Sequence, residues 1–144
     1  MTLNLRTLRR ALDTLEYSLY IADEHMDEIR EEFRGTIQAG IIHHFQIAYD
    51  HCWKAMQQWL RKNHPPERKG APISTRKELF RKAALYGIIS DPKPWIQFAD
   101  AQTACSQVYD PDRAQFLCEA AEKFRPCAQE LYENLQPDED NSAS

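Results

Sequence analysis

A polar run near the end of one helical segment carries the side chains best suited to chemistry. Its members, within the segment WIQFADAQTACSQVYDPD, are Gln102, Thr103, Ser106, Gln107 and Tyr109. Buried amides and hydroxyls are costly unless they are paired, so this run either faces water or lines a polar groove. Amides donate and accept hydrogen bonds, but they do not titrate near neutral pH and carry no positive charge. Tyr109 can equally be a residue that packs just ahead of a helix cap at Asp110.

The histidines, serines and cysteines form no recognisable catalytic or metal-binding motif. His43 and His44 lie seven or eight residues from His51, whereas two zinc ligands on one helix are expected at positions i and i+4. These imidazoles are therefore interpreted as polar helix-surface groups. No serine lies in a G-x-S-x-G turn. The four cysteines form no C-x-x-C pair, which favours reduced thiols used as small core residues. We predict no metal and no cofactor.

A basic segment stands out in an otherwise acidic chain. Between Arg61 and Lys82 eight basic residues outnumber two acidic ones, although the whole chain carries a net charge of −4. That net charge argues against a general nucleic-acid binder. Arg76 and Arg81 belong to this segment and lie on a helix opposite its apolar face. They form either a solvated surface that balances the acidic remainder or a docking surface for an acidic partner or a nucleotide phosphate.

Apolar residues recur at spacings of three and four along most of the chain, which predicts helices. A leucine stripe predicts a first helix over about residues 3 to 23. A second, longer helix carries two apolar stripes between Ile41 and Leu60, more than one core face needs. Such a helix is central in a bundle or buried against a second chain. We expect both, and therefore a homodimer or a higher even oligomer.

Three further helices follow the proline-rich stretch NHPPERKGAPIS, which predicts a loop. The expected caps are Ser74 or Thr75, Asp91 and Asp110, and each of the two aspartates is followed by a proline. Gly87 is expected to end the first of these helices in a left-handed conformation. The second is expected to run to about Gln107. Pro126 is expected to kink the last helix.

These elements predict an all-α, antiparallel up-and-down bundle of four to five helices, because no segment shows strand alternation. A length of 144 residues fits one domain, which we place at residues 1–136, with a disordered acidic tail at 137–144. No apolar run approaches the ~20 residues that span a bilayer. The charged start lacks a secretory apolar region. We expect a cytoplasmic protein that does not enter membranes.

Three stretches together resemble the nucleotidyltransferase substrate-binding family, a branch of the HEPN superfamily of small helical proteins. FQIAYDHCWKAM resembles that family's aromatic-x-x-x-aromatic-E-x-x-W-K helix, with Asp50 at the glutamate position. STRKELFRKAALYGIISDPKPW is similar to its helix, glycine, I-x-D turn and tryptophan. The third stretch ends in Val108, Tyr109 and Asp110. The resemblance spans about residues 3 to 136 and implies the helical fold already predicted.

HEPN ribonucleases carry an arginine, four to six intervening residues and a histidine, followed in this branch by a tyrosine two positions later. Aligning Tyr109 with that tyrosine puts Gln107 at the histidine position and Gln102 at the arginine position. A histidine moves protons and an arginine stabilises the charged transition state. Losing both should cost several kcal/mol of transition-state stabilisation. We therefore predict no catalytic residues, and the alternative is a HEPN ribonuclease that tolerates the two glutamines.

The resemblance implies a non-catalytic, substrate-binding accessory subunit that pairs with a separate small nucleotidyltransferase. In toxin–antitoxin members of this branch, the partner enzyme attaches AMP to the motif tyrosine, which implies Tyr109 as a modification candidate. A nucleotide is the expected ligand. Arg76 and Arg81 are the candidates for phosphate or partner contact. The residues expected to form the substrate-binding groove are Trp53, Lys54, Gln102, Gln107 and Tyr109.

Overall fold

The computed structural model describes residues 5–65, 75–105 and 110–136, and within these ranges the chain is an all-α bundle. The fold class predicted from the sequence is therefore confirmed. A short 3-10 turn, Met26–Glu28, separates the first two helices. The expected tail and most of the proline-rich loop lie outside the described residues. The helices are α1 (Arg6–His25), α2 (Glu31–Asn63), α3 (Arg76–Leu85), α4 (Pro92–Ala104) and α5 (Pro111–Leu135).

The central element of the bundle is α2, which packs against each of the four other helices. Between Ile41 and Leu60 its apolar stripes are buried except at the half-buried Trp53 and Trp59, and Phe45, Tyr49 and Cys52 are fully inaccessible to solvent. The expectation that α2 is central is thus correct. However, helices of the same chain already cover both stripes, so they do not require a second chain. The homodimer therefore stays a prediction that these stripes do not by themselves support.

Side-chain caps begin three of the helices at the residues that the sequence predicts. The side-chain oxygens of Thr75, Asp91 and Asp110 accept hydrogen bonds from backbone N–H groups two or three residues later. Each cap satisfies one of the N–H groups that a helix start leaves without an intrahelical partner. Gly87 follows α3 with a φ of +83°, as expected for a left-handed end. Helix α5 continues through Pro126.

Five aromatic rings from three helices form the centre of the core, with Phe124 of α5 in the middle. Its ring meets those of Phe45, Phe98 and Trp95 edge to face, with centroid separations of 5.2, 5.3 and 5.6 Å. Tyr49 of α2 lies 6.3 Å from the same ring. Edge-to-face packing suits the charge distribution of aromatic rings. This cluster therefore joins α2, α4 and α5, two of which carry the site described next.

None of the helices in the described ranges combines the length and the apolar composition that a membrane span requires.

Candidate functional site

The first residue of α3, Arg76, links three helices through its side chain. Its Nη1 donates hydrogen bonds to Gln102 Oε1 on α4, at 3.0 Å, and to the Tyr49 hydroxyl on α2, at 3.4 Å. Thr75 caps the N-terminus of α3, so the helix begins at Arg76. Arg76 is half-buried, although the sequence suggested an outer position. An arginine so placed joins the start of α3 to the middle of α2 and to the last turn of α4.

Aromatic rings of α2 cover the same guanidinium. Its central carbon lies 4.5 Å from the centroid of the Trp53 ring and 5.4 Å from that of Tyr49. Tyr49 and Trp53 are four residues apart and so share a face of the helix. Cations are attracted to aromatic faces at this range, more strongly when water is excluded. Tyr49, Trp53, Arg76 and Gln102 are hereafter called the Arg76 cluster.

Tyr49 remains a neutral phenol at neutral pH. Burial raises the pKa of its hydroxyl, while the hydrogen bond and charge of Arg76 act to lower it and the carboxylate of Asp100 acts to raise it. The hydroxyl therefore serves as a polar contact for Arg76 and not as its counter-ion. Within the described residues Arg76 has only neutral hydrogen-bond partners, and no carboxylate lies within ion-pair distance of it.

The indole of Trp53 contributes its face to the cluster. Its Nε1 is buried and has no hydrogen-bond acceptor among the residues described. A buried donor without an acceptor is unfavourable, so hydrogen bonding does not explain the position of this ring. The position of the ring is explained by its contact with Arg76 and by its packing against the core.

Two other predicted site residues, Lys54 and Arg81, are not part of this cluster. Lys54 is exposed and forms a 2.7 Å ion pair with Asp50 one turn earlier on α2, while its Nζ lies 5.8 Å from the Trp53 ring centroid. Arg81 is exposed on α3. Gln107 and Tyr109 lie outside the described residues. The structure thus brings Trp53, Arg76 and Gln102 together and adds Tyr49, which was not among the predicted site residues.

Three of the five histidines lie in a surface groove of about 350 Å³ between α1 and α2, away from the Arg76 cluster. His43, His44 and His51 line it, and His44 Nδ1 is hydrogen-bonded to Ser18 Oγ at 2.6 Å. Burial and the neighbouring His43 lower the pKa of His44. No histidine stacks on or hydrogen-bonds to the Arg76 cluster in the described part of the chain, so the cluster has no evident proton shuttle there.

The cysteines provide no activated nucleophile. Cys52 and Cys105 are buried, as expected of small core residues, and all four cysteines are free thiols. Burial raises the pKa of Cys105 and of Cys118 to about 11. Since the thiolate is the reactive form, these side chains are largely unreactive at neutral pH.

In the described ranges, the fold and the site define an all-α helical bundle with a half-buried polar cluster that joins three of its helices. Residues 3–137 match the family described as nucleotidyltransferase substrate binding protein like. The chain belongs to this family, as the resemblance of its motifs predicted.

Individual relatives cover nearly the whole chain. The protein is 25% identical over 143 residues to a Haemophilus influenzae protein called probable ribonuclease HepT, covering 93% of this chain and 92% of that protein. A solved structure from Haemophilus influenzae, described as the fold of a substrate binding domain of a nucleotidyltransferase, is 25% identical. It has a TM-score of 0.85 and covers 93% of this chain and 100% of that one. A crystal structure from Thermus thermophilus, at 17% identity and TM-score 0.69, shares the fold over 90% of this chain and 99% of its own.

Proposed function

We propose that the protein is the non-catalytic, substrate-binding accessory subunit of a separate small nucleotidyltransferase. Family membership supports a substrate-binding role. The non-catalytic part of the proposal rests on two residues. When Tyr109 is aligned with the motif tyrosine, Gln102 and Gln107 occupy the positions where ribonucleases of this superfamily have arginine and histidine. Neither amide can shuttle a proton near neutral pH.

The Arg76 cluster is consistent with binding and not with hydrolysis. Gln102 accepts a hydrogen bond from Arg76, so its amide helps to orient a cation. General acid–base catalysis contributes about 100- to 10,000-fold in enzymes that use it. Among the described residues, the groups that contact Arg76 are an amide, an indole and a phenol whose pKa is raised, and none of these three supplies that catalysis at pH 7.

Complex formation tests this function directly. The full chain is co-expressed with an affinity-tagged nucleotidyltransferase encoded by the neighbouring reading frame. Captured material is then analysed by size-exclusion chromatography with light scattering, with and without ATP and magnesium. We expect a stoichiometric complex. An unrelated helical bundle of similar size serves as the control for nonspecific capture. Absence of a complex under every condition would contradict the proposed role.

The name of the Haemophilus influenzae relative supports a second candidate function, that of a ribonuclease. Purified chain is incubated with end-labelled RNA, alongside Gln102→Ala and Gln107→Ala variants. The proposed function predicts no cleavage that scales with protein concentration. Cleavage by the wild type that disappears in both variants would establish the ribonuclease instead.

Tyr109 is the proposed acceptor if the pair works as a toxin–antitoxin system. Incubation with the transferase, ATP and magnesium should then increase the intact mass of the chain by one adenylyl group. The Tyr109→Phe variant should show no increase. Modification at another residue, or none in an active complex, would remove Tyr109 from this role.

Self-association is a separate proposal, because the apolar stripes that suggested it are buried within one chain. Large apolar side chains remain exposed on several helices, among them Tyr17, Ile47 and Phe116. Light scattering of the isolated protein measures the oligomeric state. A monomer over the working concentration range would contradict the predicted even oligomer without affecting pairing with a transferase.

A further inference from the structure

We propose that the Arg76 cluster is an anion subsite that takes the phosphate groups of a nucleotide, with Arg76 as the residue that binds them. This inference deepens the proposed function, on which its biological role rests, by naming the ligand class and separating Arg76 from the other basic residues. It rests on the contacts of the guanidinium, its charge balance and its restraint by neighbouring rings.

The first observation is that much of the guanidinium is uncommitted. An arginine has five N–H donors, and both hydrogen bonds of Arg76 within the described residues come from Nη1. Its Nε and Nη2 have no hydrogen-bond partner among those residues. That edge of a guanidinium presents two parallel donors, which match two oxygens of a phosphate.

The second observation is an uncompensated charge. Lys54 and Asp50 neutralise each other at 2.7 Å, and Arg81 is exposed, where water and salt screen its charge. Arg76 instead is half-buried among a phenol, an indole and an amide. A partly buried cation without a carboxylate partner favours an anionic ligand, because electrostatic attraction strengthens as water is excluded.

The third observation is that Arg76 is held in place before any ligand arrives. The Gln102 amide accepts from one side of the guanidinium, while the face of Trp53 packs at 4.5 Å. A restrained side chain loses less conformational entropy on binding than a free one. Gln102 acts here as a positioning residue. The charge of Asp100 contributes to the raised pKa of Tyr49, so we expect this carboxylate to weaken the binding of an anion beside Tyr49.

Isothermal titration calorimetry on the full chain tests the subsite with ATP, adenosine and tripolyphosphate as probes. We expect ATP to bind and adenosine to bind far more weakly. Arg76→Gln should weaken ATP binding by about 10- to 100-fold, as for the loss of charged hydrogen bonds. The matched control, Arg81→Gln, removes the same charge from the same helix and should change affinity less than about twofold. Asp100→Asn should tighten binding by about two- to fivefold.

The outcomes separate this subsite from its rivals. Equal losses in Arg76→Gln and Arg81→Gln would show diffuse charge attraction and overturn the proposal, as would undetectable ATP binding by the wild type. Equal affinity for tripolyphosphate and ATP would assign the site to free polyphosphate instead of a nucleotide. Tighter, Arg76-dependent binding of an RNA oligonucleotide than of ATP would replace the nucleotide by RNA.

A second variant guards against loss of folding in Arg76→Gln. Gln102→Glu leaves Arg76 in place but offers it a carboxylate, so it should abolish ATP binding while circular dichroism stays unchanged. Undiminished ATP binding in this variant would overturn the proposal. Capture by the tagged transferase, measured on the same variants, distinguishes the two levels of inference. Normal capture without ATP binding refutes only the subsite, and ATP binding without capture refutes only the accessory role.

Discussion

Replacing Phe124 by alanine should remove much of the stability of the bundle. The side chain is inaccessible to solvent and meets three aromatic rings edge to face, at centroid separations of 5.2 to 5.6 Å. Truncating a buried phenylalanine costs about 3–5 kcal/mol through lost transfer free energy and the cavity that remains. Each aromatic pair adds about 0.5–1.5 kcal/mol beyond the buried area. We therefore expect a loss near the upper end, about 5 kcal/mol.

The position of Phe124 connects this stability to the candidate site. Its ring lies against Tyr49 and packs on two aromatic residues of α4, and the helices it contacts, α2 and α4, carry Tyr49 and Gln102. A cavity here should loosen the contacts of Arg76 as well as the core. A total stability of about 5–15 kcal/mol is usual for a domain, so Phe124→Ala is expected to be marginally folded at best. Phe124→Leu, which retains most of the apolar volume, should cost about 2 kcal/mol.

Urea unfolding followed by circular dichroism measures these losses, and Phe116→Ala is the matched control. Phe116 lies on the same helix but is 58% exposed, so its truncation should change the free energy of unfolding by no more than about 0.5 kcal/mol. A loss below about 2 kcal/mol in Phe124→Ala, or one equal to that of Phe116→Ala, would refute the packing described for the core.

Three further predictions concern backbone conformation, pH and thiol reactivity. Gly87→Ala should lower the free energy of unfolding by about 1–2 kcal/mol, because the φ of Gly87 is +83°. Gly40→Ala should raise the free energy of unfolding by about 0.5–1 kcal/mol, because open space surrounds that position within α2. Burial lowers the pKa of His44 in the folded chain. As the pH falls, His44 is therefore protonated in the unfolded chain before it is protonated in the folded chain. Stability should therefore decline as pH falls below about 6.5, and less so in His44→Gln. Cys105, with a pKa raised to about 11, should react with a thiol reagent at about pH 7.5 only on unfolding.

Each of these predictions has a direct check. Urea midpoints that move in the same direction for the two glycine variants would contradict the backbone assignment. Identical pH dependence between about pH 7.5 and 5.5 in wild type and His44→Gln would remove His44 as a source of acid sensitivity. Rapid labelling of Cys105 in the native protein, identified by peptide mass spectrometry, would show that it is not buried.

Local chemistry made much of the fold predictable. The three- and four-residue spacing of apolar side chains sets the helical face that must avoid water, and short polar side chains at Thr75, Asp91 and Asp110 satisfy the N–H groups at helix starts. These interactions act within a few residues, so they can be inferred without knowing the tertiary structure. The sequence also has glutamines at positions 102 and 107, where the family resemblance implies arginine and histidine, and on that basis we predict recognition and not cleavage.

Contacts between residues far apart in the sequence are determined only by the packing of the helices. Periodicity shows that α2 has two apolar stripes but not which chain covers them, and the bundle covers both itself. Periodicity places Arg76 on the polar side of α3, but it does not reveal that residues of α2 and α4 contact Arg76 there. The difference is physical: a helix determines the direction of its own side chains, whereas a contact between residues 49, 76 and 102 depends on how three helices pack. The sequence thus named the candidate residues Trp53, Arg76 and Gln102, and only tertiary packing joined them around one guanidinium.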